Sequence, residues 1–418
     1  MADWSAFPAD LLHLISLLLP ASIDVIRIRS VCGNWRAAVP PPPPSSGRFP
    51  AIPNSGISET SWGFHLTKRT IYSLRSPLPD QSSWIIKLDG DKMHLFNPLD
   101  RSQLQSSPKL FNFFDIGVRV LVEDYALQHI NFRPTSSSIG DAENLYMEKV
   151  AVLNNGSSGG FVLLTIHVSG KLAVYKSGDD KWRLIDGSLS PYDDVILWKG
   201  KFYAVDTTGQ IVVVNTDDMN VSVAARSTFG GDKKLLVDCD GELLMVDMHL
   251  GLKPADDLGF NDGLDFYEDF SSYTRETPVK IKVFRLYDQA RKWVKISDLG
   301  DTMLFLGDNC AFSASAGEVF GDEKCRGNCI FFIDQHCNRE DEEGLMASCV
   351  GVYDLESGSI GPVDGYSEIF WPPPDWLYST AAVEMIFACD QQCTDADDRI
   401  EGVERGWDES NEYMMLER

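Results

Sequence analysis

The sequence of 418 residues lacks three features that mark membrane and secreted proteins. It has no run of about 18 apolar residues, the length that a transmembrane helix needs. Its first ten residues include Asp3 and Asp10 but no Lys or Arg, whereas a secretory signal begins with a basic segment. Its nine cysteines are odd in number and irregularly spaced, so they predict no disulfide framework. We therefore expect a reducing location: the nucleus, the cytoplasm or both.

Positive charge is also scarce. The chain has 37 Lys and Arg against 62 Asp and Glu, which gives a formal net charge of −25. Duplex nucleic acids and anionic membranes are bound by clustered Lys and Arg, so this composition argues against both as partners. Gly-rich phosphate loops and nucleophile elbows are missing from the sequence as well. Two common catalytic signatures are thus absent, and the family resemblance given below implies a protein without catalytic residues or a cofactor of its own.

The first apolar segment is concentrated in residues 11–19, where seven of nine residues are apolar. Pro8 suits a first helical turn, and Pro20 ends the run. A unit of about 40 residues is near the lower limit for burying its own core, so the helix needs cover from elsewhere. A partner protein is one source of cover, and the chain's own larger domain is the alternative. The helical stripe comprises Leu11, Ile15 and Leu18, with Leu12 and Leu19 beside it and Leu14 and Leu17 on the other side.

A second helical segment follows within residues 24–36. Asp24 is a suitable helix cap, and apolar residues then recur three or four positions apart. Gly33 predicts a break into two short helices. The recurring apolar residues are Val25, Ile28, Cys32 and Trp35.

These residues resemble the F-box, whose pattern combines Leu-Pro, a Leu-Leu-x-x-Ile helix and Arg-x-Val-Cys-x-x-Trp-Arg. Here Phe7 replaces the first Leu, and Val31-Cys32-Gly33-Asn34-Trp35-Arg36 is the most specific part of the match. The resemblance implies binding to the Skp-type adaptor of a cullin-RING ubiquitin ligase. It places ten residues at adaptor-facing or internal core positions, without separating the two roles: Pro8, Leu11, Leu12, Ile15, Leu18, Val25, Ile28, Val31, Cys32 and Trp35.

Composition divides the chain into four parts. The F-box match covers residues 1–39, and a Pro-rich linker with five consecutive prolines occupies residues 40–60. Residues 61–390 form the main domain. The tail, residues 391–418, has nine acidic and three basic residues and predicts a solvated segment.

The main domain reads as all-β, because short apolar runs alternate with Gly, Asp, Asn and Ser turns. Residues 195–214 predict three strands joined at Lys199-Gly200 and Thr208-Gly209. Residues 234–246 repeat this pattern about 40 residues later, which is the length of a propeller blade. A strand followed by a Lys-Trp strand also occurs twice, at Lys181-Trp182 and Lys292-Trp293. We predict a β-propeller of six or seven four-stranded blades, with a β-sandwich as the alternative.

Three further segments resemble a plant F-box family whose C-terminal domain is a KIB-type β-propeller. They are Asn97-Pro98-Leu99-Asp100-Arg101, residues 328–334 with 352–358, and Pro372-Pro373-Pro374-Asp375-Trp376. The resemblance spans most of residues 60–380. It implies the substrate-recognition subunit of an SCF-type (cullin-RING) E3 ubiquitin ligase, with the F-box bound to the adaptor and the propeller bound to the target. A non-degradative scaffold and a sugar-binding or enzymatic β domain stay open as alternatives.

Two kinds of residue cluster are further candidates for sites. Cys325, Cys329, His336 and Cys337 provide four zinc-type ligands, but their spacing is not that of a zinc knuckle, and Cys329 lies in an apolar strand. The pair Cys389 and Cys393 is a weaker candidate. The acidic runs 262–269 and 340–343 do not follow the ligand spacing of a calcium loop, so we interpret them as loops between strands.

Overall fold

The computed structural model describes part of the chain. The described residues are 4, 7–19, 22–40, 49–57, 63–76, 83–89, 95–99, 116–129, 149–155, 160–167, 169–185, 190–254, 274–307, 310–320, 327–340, 346–361 and 370. They form two compact units, one up to residue 40 and one from residue 49 onward. Most of the predicted linker and all of the predicted acidic tail lie outside the described residues.

The first unit consists of three short helices, α1 (Ala9–Leu18), α2 (Ser22–Ser30) and α3 (Gly33–Ala38). Pro8 precedes α1, and its carbonyl accepts the first helical hydrogen bond from the Leu12 N–H at 3.1 Å. The predicted break at Gly33 is confirmed: Cys32 is extended, and α3 begins at the glycine. Helix α3 contacts both other helices, so the unit has a small core of its own.

The second unit is all-β, and its described residues form five sheets. Within each sheet every strand is hydrogen-bonded to the next, from the strand nearest the centre of the unit outward. The sheets are β4 (Gly117–His129), β1 (Phe64–Arg75), β2 (Trp84–Asp89), β3 (Leu95–Phe96); β5 (Val150–Asn155), β6 (Gly160–Ile166), β7 (Leu172–Lys176), β8 (Arg183–Ile185); β9 (Tyr192–Trp198), β10 (Lys201–Asp206), β11 (Ile211–Val214), β12 (Val221–Ala225); β13 (Lys233–Cys239), β14 (Glu242–Pro254), β15 (Thr274–Tyr287), β16 (Lys292–Ile296); and β18 (Ala311–Ser315), β17 (Thr302–Leu306), β19 (Cys329–Glu340), β20 (Met346–Asp354), β21 (Ser359–Gly361).

The five innermost strands close a ring. Each of β4, β5, β9, β13 and β18 contacts the next, and β18 returns to β4. A hydrophobic cluster fills each of the five junctions between neighbouring sheets, including the junction of the last sheet with the first. At that closing junction, Phe305 and Phe331 stack on each other with ring centroids 4.9 Å apart and share a cluster with Ile71 and Ile85. The unit is therefore a β-propeller with one sheet per blade.

The predicted number of blades, six or seven, is wrong, because the described residues form five. The prediction assumed strands of ordinary length, about five or six residues. Several strands here are more than twice as long, so each blade uses more of the chain. These strands are β1, β4, β14, β15 and β19, with 12 to 14 residues each.

The fifth blade departs from a simple meander. Its strand β17 pairs in parallel with β19, which requires a crossover connection. Helix α4 (Ala316–Phe320) belongs to that crossover. The Arg75 guanidinium donates to the Gly317 carbonyl, and the Ser73 hydroxyl donates to the Glu318 carbonyl at 3.3 Å. The crossover thereby binds the fifth blade to the first.

The two predicted Lys-Trp strands have equivalent roles. Trp182 and Trp293 are both buried, at 2% and 7% exposure. The indole N–H of Trp182 donates to the Pro53 carbonyl, and that of Trp293 donates to the Gly209 carbonyl, each at 2.8 Å. Each ring therefore contributes apolar area and satisfies its own polar atom against a loop outside its sheet.

Candidate functional site

An apolar stripe covers the exposed side of α1. Leu11, Leu14, Ile15 and Leu18 are 44%, 56%, 41% and 83% exposed. Their spacing of three and four residues places them in one row along the helix. Leu17, beside the row, is 66% exposed. We call Leu11, Leu14, Ile15 and Leu18 the exposed stripe.

The opposite side of α1 faces the interior. Leu12 is only 2% exposed and Ser16 only 7%, and the Ser16 hydroxyl donates to the His13 carbonyl at 2.7 Å. Among the predicted residues of α1, the structure thus separates Leu12, which is covered, from Leu11, Ile15 and Leu18, which are open. Leu14 was predicted to lie away from the stripe, yet it completes it. The sequence contained that signal, because positions 11, 14, 15 and 18 follow the helical repeat.

The remaining predicted residues are divided in the same way. Pro8 is exposed, and Val31, between α2 and α3, is 54% exposed. Val25, Ile28, Cys32 and Trp35 are half-buried. The exposed members offer an apolar surface, whereas the half-buried members also contribute to packing in the unit.

Aromatic rings support the start of this unit. The Trp4 ring stacks on Phe7 at a centroid distance of 6.1 Å, and Phe7 lies 6.1 Å from Trp35. The Trp35 indole N–H donates to the Trp4 carbonyl at 2.8 Å. Phe7 therefore provides the apolar contact expected at a position where the F-box pattern has Leu.

A second group of functional candidates is polar and lies in the propeller. The Lys149 ammonium, next to the start of β5, is 2.8 Å from Asp194 Oδ2 on β9 and donates to the Leu236 carbonyl on β13 at 3.0 Å. Asp194 also accepts from the N–H groups of Val195 and Leu236. One lysine thus connects three of the five inner strands at the end of the ring where those strands begin, which we call the leading end.

A second ion pair is almost completely buried. Lys234 and Asp247, 1% and 3% exposed at their side chains, are 3.2 Å apart and face each other across β13 and β14. The Lys234 ammonium also donates to the Gly231 carbonyl at 2.6 Å, and both Asp247 oxygens accept from the Gly231 N–H. This pair was not predicted from the sequence. Counting outward from the Asp240-Gly241 turn would have placed the two residues opposite each other.

Asp193 lies next to this network. Burial raises its pKa to about 6, against the opposing effects of the Lys234 N–H, which donates to Asp193 Oδ2 at 3.0 Å, and of the Lys234 ammonium. A carboxyl group with such a pKa changes charge close to neutral pH. Asp194 and Asp247, by contrast, are engaged by lysines and backbone N–H groups, so they hold the fold together.

In the described part of the chain, the cysteine clusters do not provide a set of metal ligands. Cys329 is 5% exposed in the hydrophobic cluster at the closing junction. The described residues contain no group of three or more His, Cys, Asp or Glu that could hold a metal ion. Cys325, Cys389, Cys393, the acidic run 262–269 and the side chains of His336 and Cys337 lie outside the described residues.

The helices of the described residues are short. None of them combines the length and the apolar character that crossing a bilayer requires.

Fold and site define a β-propeller protein with an N-terminal helical unit that carries an exposed apolar stripe. Residues 63–354 match the KIB1-4 beta-propeller family. The chain belongs to this family. The match includes strands of all five blades and ends before β21. It contains the Asn97-Pro98-Leu99 turn, in which the Asn97 side chain accepts from the Leu99 N–H at 3.0 Å.

Relatives extend the similarity over most of the chain. F-box protein SKIP23 of Arabidopsis thaliana is 39% identical over 407 residues, covering 92% of this chain and 98% of that protein. F-box protein At2g17036 of the same plant is 33% identical over 403 residues, covering 90% and 95% of the two chains. Among solved structures, YCF48 bound to D1 peptide aligns over 60% of this chain and 88% of that chain at 11% identity. Its TM-score of 0.23 is too low to support a structural relationship.

Proposed function

We propose that this chain is the substrate-recognition subunit of an SCF-type (cullin-RING) E3 ubiquitin ligase. In this proposal the helical unit binds a Skp-type adaptor, and the propeller binds the protein to be ubiquitinated. The exposed stripe on α1 carries the proposal, because a helix gains nothing by presenting four large apolar side chains to water. The names of the similar F-box proteins, which cover about nine tenths of this chain, support it.

The stripe also indicates the energetics of adaptor binding. Covering a Leu or Ile side chain contributes about 1.5–3 kcal/mol. Leu11, Leu14, Ile15 and Leu18 are all partly accessible, so one groove on a partner could cover them together. Leu12 contributes indirectly, since it is buried and packs α1 against the rest of the helical unit.

The chain has a non-catalytic role in this proposal. A substrate receptor accelerates ubiquitin transfer by holding a target lysine near the charged ubiquitin enzyme, which is catalysis by proximity. We expect this to happen in the nucleus, the cytoplasm or both, and we expect no cofactor to be needed.

The test is direct binding of the purified full chain to a purified Skp-type adaptor. The double variant Leu11→Asp, Leu18→Asp places two charges in the stripe and should weaken binding about a hundred-fold or more. His13→Asp is the control, because it adds one negative charge at an exposed position of the same helix away from the stripe. It should leave the affinity within about three-fold of wild type. Equal binding by wild type and the double variant would disprove the proposed function.

The second arm of the test separates a ligase from a non-degradative scaffold. Wild type and the Leu11→Asp, Leu18→Asp variant are expressed in plant cells, and ubiquitinated lysines are quantified. A ligase subunit predicts a set of proteins that lose ubiquitin and accumulate with the variant. A scaffold predicts unchanged ubiquitination although adaptor binding is lost.

A further inference from the structure

The fourth blade carries a concentration of positive charge that contrasts with the rest of the chain. Residues 279–296, on β15, β16 and the turn between them, include six Lys or Arg and one acidic residue, whereas the whole chain has a net charge of −25. Lys280 and Lys295 are exposed, and Lys282 is half-buried. Among the described residues, none of these three lysines has an ion pair or a hydrogen bond from its side chain. Their charge is therefore available to a partner.

The three lysines lie on the face of the blade that is turned toward the third blade. Side chains two residues apart on a strand share a face, so Lys280 and Lys282 lie on the side of Phe284, which packs against the cluster between the third and fourth blades. Lys295 on β16 is paired with Phe284 and lies on that face too. The last strand of the third blade, β12, contacts β16 and leads into the exposed Arg226. We call Arg226, Lys280, Lys282 and Lys295 the basic patch.

The carboxylate in the middle of this face is already engaged. In the sheet, Asp247 on β14 lies between Lys234 on β13 and Lys282 on β15. Its ion pair is the one with Lys234 at 3.2 Å, and both of its oxygens accept from the Gly231 N–H. One carboxylate thus lies between two lysines, so this row of the sheet keeps a net positive charge.

The loop 226–232, between β12 and β13, adds an apolar side chain to this surface. A Cβ on Gly230 would lie 2.5 Å from Asp247 Oδ2, so the loop packs directly on the row just described. The neighbouring Phe229 is 75% exposed, which makes it the most exposed large apolar side chain of the propeller among the described residues. Its N–H donates to the Thr208 carbonyl at 3.0 Å. A partner that binds the basic patch can therefore bury this ring against a fixed backbone.

The charges of this surface select an acidic partner. Asp232 borders the basic patch, but its Oδ2 accepts from the Leu250 N–H at 2.8 Å. Salt limits the reach of exposed charges to about 8 Å at physiological ionic strength, so a segment in contact with the patch is acted on mainly by the patch itself. The net charge of −25 opposes larger acidic partners that extend beyond the patch, namely a nucleic acid or a second copy of this chain. A short acidic segment avoids that repulsion.

We propose that the basic patch is a docking surface for an acidic segment of a target protein, and that Phe229 packs against an apolar side chain of that segment. The segment carries clustered anionic groups, which are the carboxylates of Asp and Glu or phosphate groups. Charge complementarity determines specificity and association rate, and the exposed aromatic ring supplies apolar contact area. The inference rests on the proposed function only in identifying the occupant as a ligase target.

The first experiment identifies the occupant with the photo-reactive amino acid p-benzoylphenylalanine, placed in the full chain at position 229 or, as the control, at position 223. Val223 on β12 is 45% exposed and pairs with Val212, which packs in the cluster between the second and third blades, so position 223 faces away from the patch. After irradiation in plant cells, position 229 should cross-link to acidic segments of other proteins, and position 223 should not. The proposal is overturned if position 229 does not exceed position 223, or if it cross-links to basic segments, to nucleic acid or to this chain itself.

The second experiment measures the role of the charges. Each cross-linked segment is synthesised as a peptide, with and without any phosphate groups found on it, which separates phosphate from carboxylate recognition. Lys280→Glu, Lys295→Glu reverses two exposed cations of the basic patch and should weaken peptide binding about ten-fold or more. Lys181→Glu, Lys201→Glu is the matched control, because it changes the net charge by the same amount at exposed lysines before β8 and at the start of β10. It should bind within about three-fold of wild type.

Salt dependence adds a measurement that needs no variant. Raising the ionic strength from about 0.05 M to about 0.5 M should weaken binding to the wild-type chain about ten-fold, because exposed charges are screened. Both double variants should melt close to wild type, since all four lysines are exposed. Lys295→Gln, a milder change, should weaken binding about two- to three-fold and replaces the double variant if that one is unstable. Equal affinities of the patch and control variants, or an affinity independent of salt, would overturn the proposal.

The same preparations distinguish this inference from the proposed function. Lys280→Glu, Lys295→Glu should bind the Skp-type adaptor as wild type does, whereas Leu11→Asp, Leu18→Asp should still bind the peptide. If the stripe variant keeps the adaptor while the patch variant loses the peptide, the docking surface stands and the ligase proposal falls. If the stripe variant loses the adaptor while the patch variant keeps the peptide, the ligase proposal stands and the docking surface falls.

Discussion

The two units of this chain treat apolar and charged side chains in opposite ways. The helical unit leaves Leu11, Leu14, Ile15 and Leu18 open to water, although it has few residues with which to build a core. The propeller fills all five junctions between blades and buries even the side chains of Lys87 and Lys234. The difference teaches that a closed ring of sheets can bury its apolar side chains by itself, whereas three short helices cannot. We expect variants of the buried propeller residues to change its stability and variants of the stripe to change adaptor binding.

The largest expected effect comes from the buried ion pair of the propeller. Lys234→Met removes the cation from Asp247 and leaves a buried carboxylate, which should cost about 3–5 kcal/mol of unfolding free energy. Lys176→Met is the control, because its partner Asp217 is 90% exposed and the pair is worth at most about 1 kcal/mol. Urea unfolding followed by tryptophan fluorescence measures both. Similar losses in the two variants would contradict the view that burial makes the first pair essential.

A second prediction compares the two sides of α1. Leu12→Ala leaves a cavity at a buried position and should lower the free energy of unfolding by about 2–5 kcal/mol. The core of such a small unit rarely supplies more than about 3–5 kcal/mol, so the variant unit should open. Leu11→Ala removes an exposed side chain and should leave the fold intact. Hydrogen exchange of the α1 amides should become fast in Leu12→Ala and stay as in wild type in Leu11→Ala.

This pair of variants also tests whether Leu12 stabilises the unit while Leu11 binds the adaptor. Both should bind the adaptor more weakly, but only Leu11→Ala should do so with a protected helix. If Leu11→Ala exposes the α1 amides as much as Leu12→Ala does, the stripe belongs to the core of the unit and the contrast between the units is lost.

A third prediction concerns the glycines of the propeller. Gly231→Ala brings a Cβ to 2.3 Å from a backbone carbonyl oxygen, so the loop 226–232 must move and about 2 kcal/mol or more should be lost. Gly241→Ala meets no atom within 4 Å, although its φ is +77°, so it should cost only about 1 kcal/mol. Thermal unfolding of the two variants separates steric clash from backbone strain. Equal losses of stability in the two variants would show that the loop relieves the clash at Gly231 without a large cost in free energy.

The sequence predicted much of this structure from local patterns. The strands at 160–166 and 201–206 and the first five residues of β14, 242–246, follow apolar runs between turn residues, and the Gly33 break follows from helix propensity. The number of blades was not predictable, because hydrophobic patterns do not reveal that β15 runs for 14 residues or that β17 pairs in parallel with β19. Both depend on contacts between residues far apart in the chain.

The sites divide in the same way. The residues of the stripe are local in sequence, and the helical repeat identifies them once Leu14 is included. The contacts of residues 226–232, between β12 and β13, are not local. The Phe229 N–H donates to Thr208, in the turn between β10 and β11, and the Asp232 N–H donates to Met248 on β14. The Gly230-Gly231 pair signals a tight backbone, but not what the neighbouring side chain is for.

The smallest expected effect is a dependence of propeller stability on pH. The pKa of Asp193 is about 6 in the folded chain and 3.8 by its ordinary value, so the folded chain holds this proton more tightly than the unfolded chain. The resulting stability is complete below pH 3.8 and is lost as the pH rises to about 6. Between pH 5 and pH 8 this group should remove about 1 kcal/mol from the wild type.

Asp193→Asn cannot change charge, but its side-chain carbonyl can still accept the Lys234 N–H. Urea unfolding at pH 5 and pH 8 should therefore show a smaller pH-dependent loss in Asp193→Asn than in wild type. Asp217→Asn removes one negative charge at an exposed position and controls for net charge. A pH dependence identical in wild type and Asp193→Asn would mean that water reaches this carboxylate and that the leading end is more open than its burial implies.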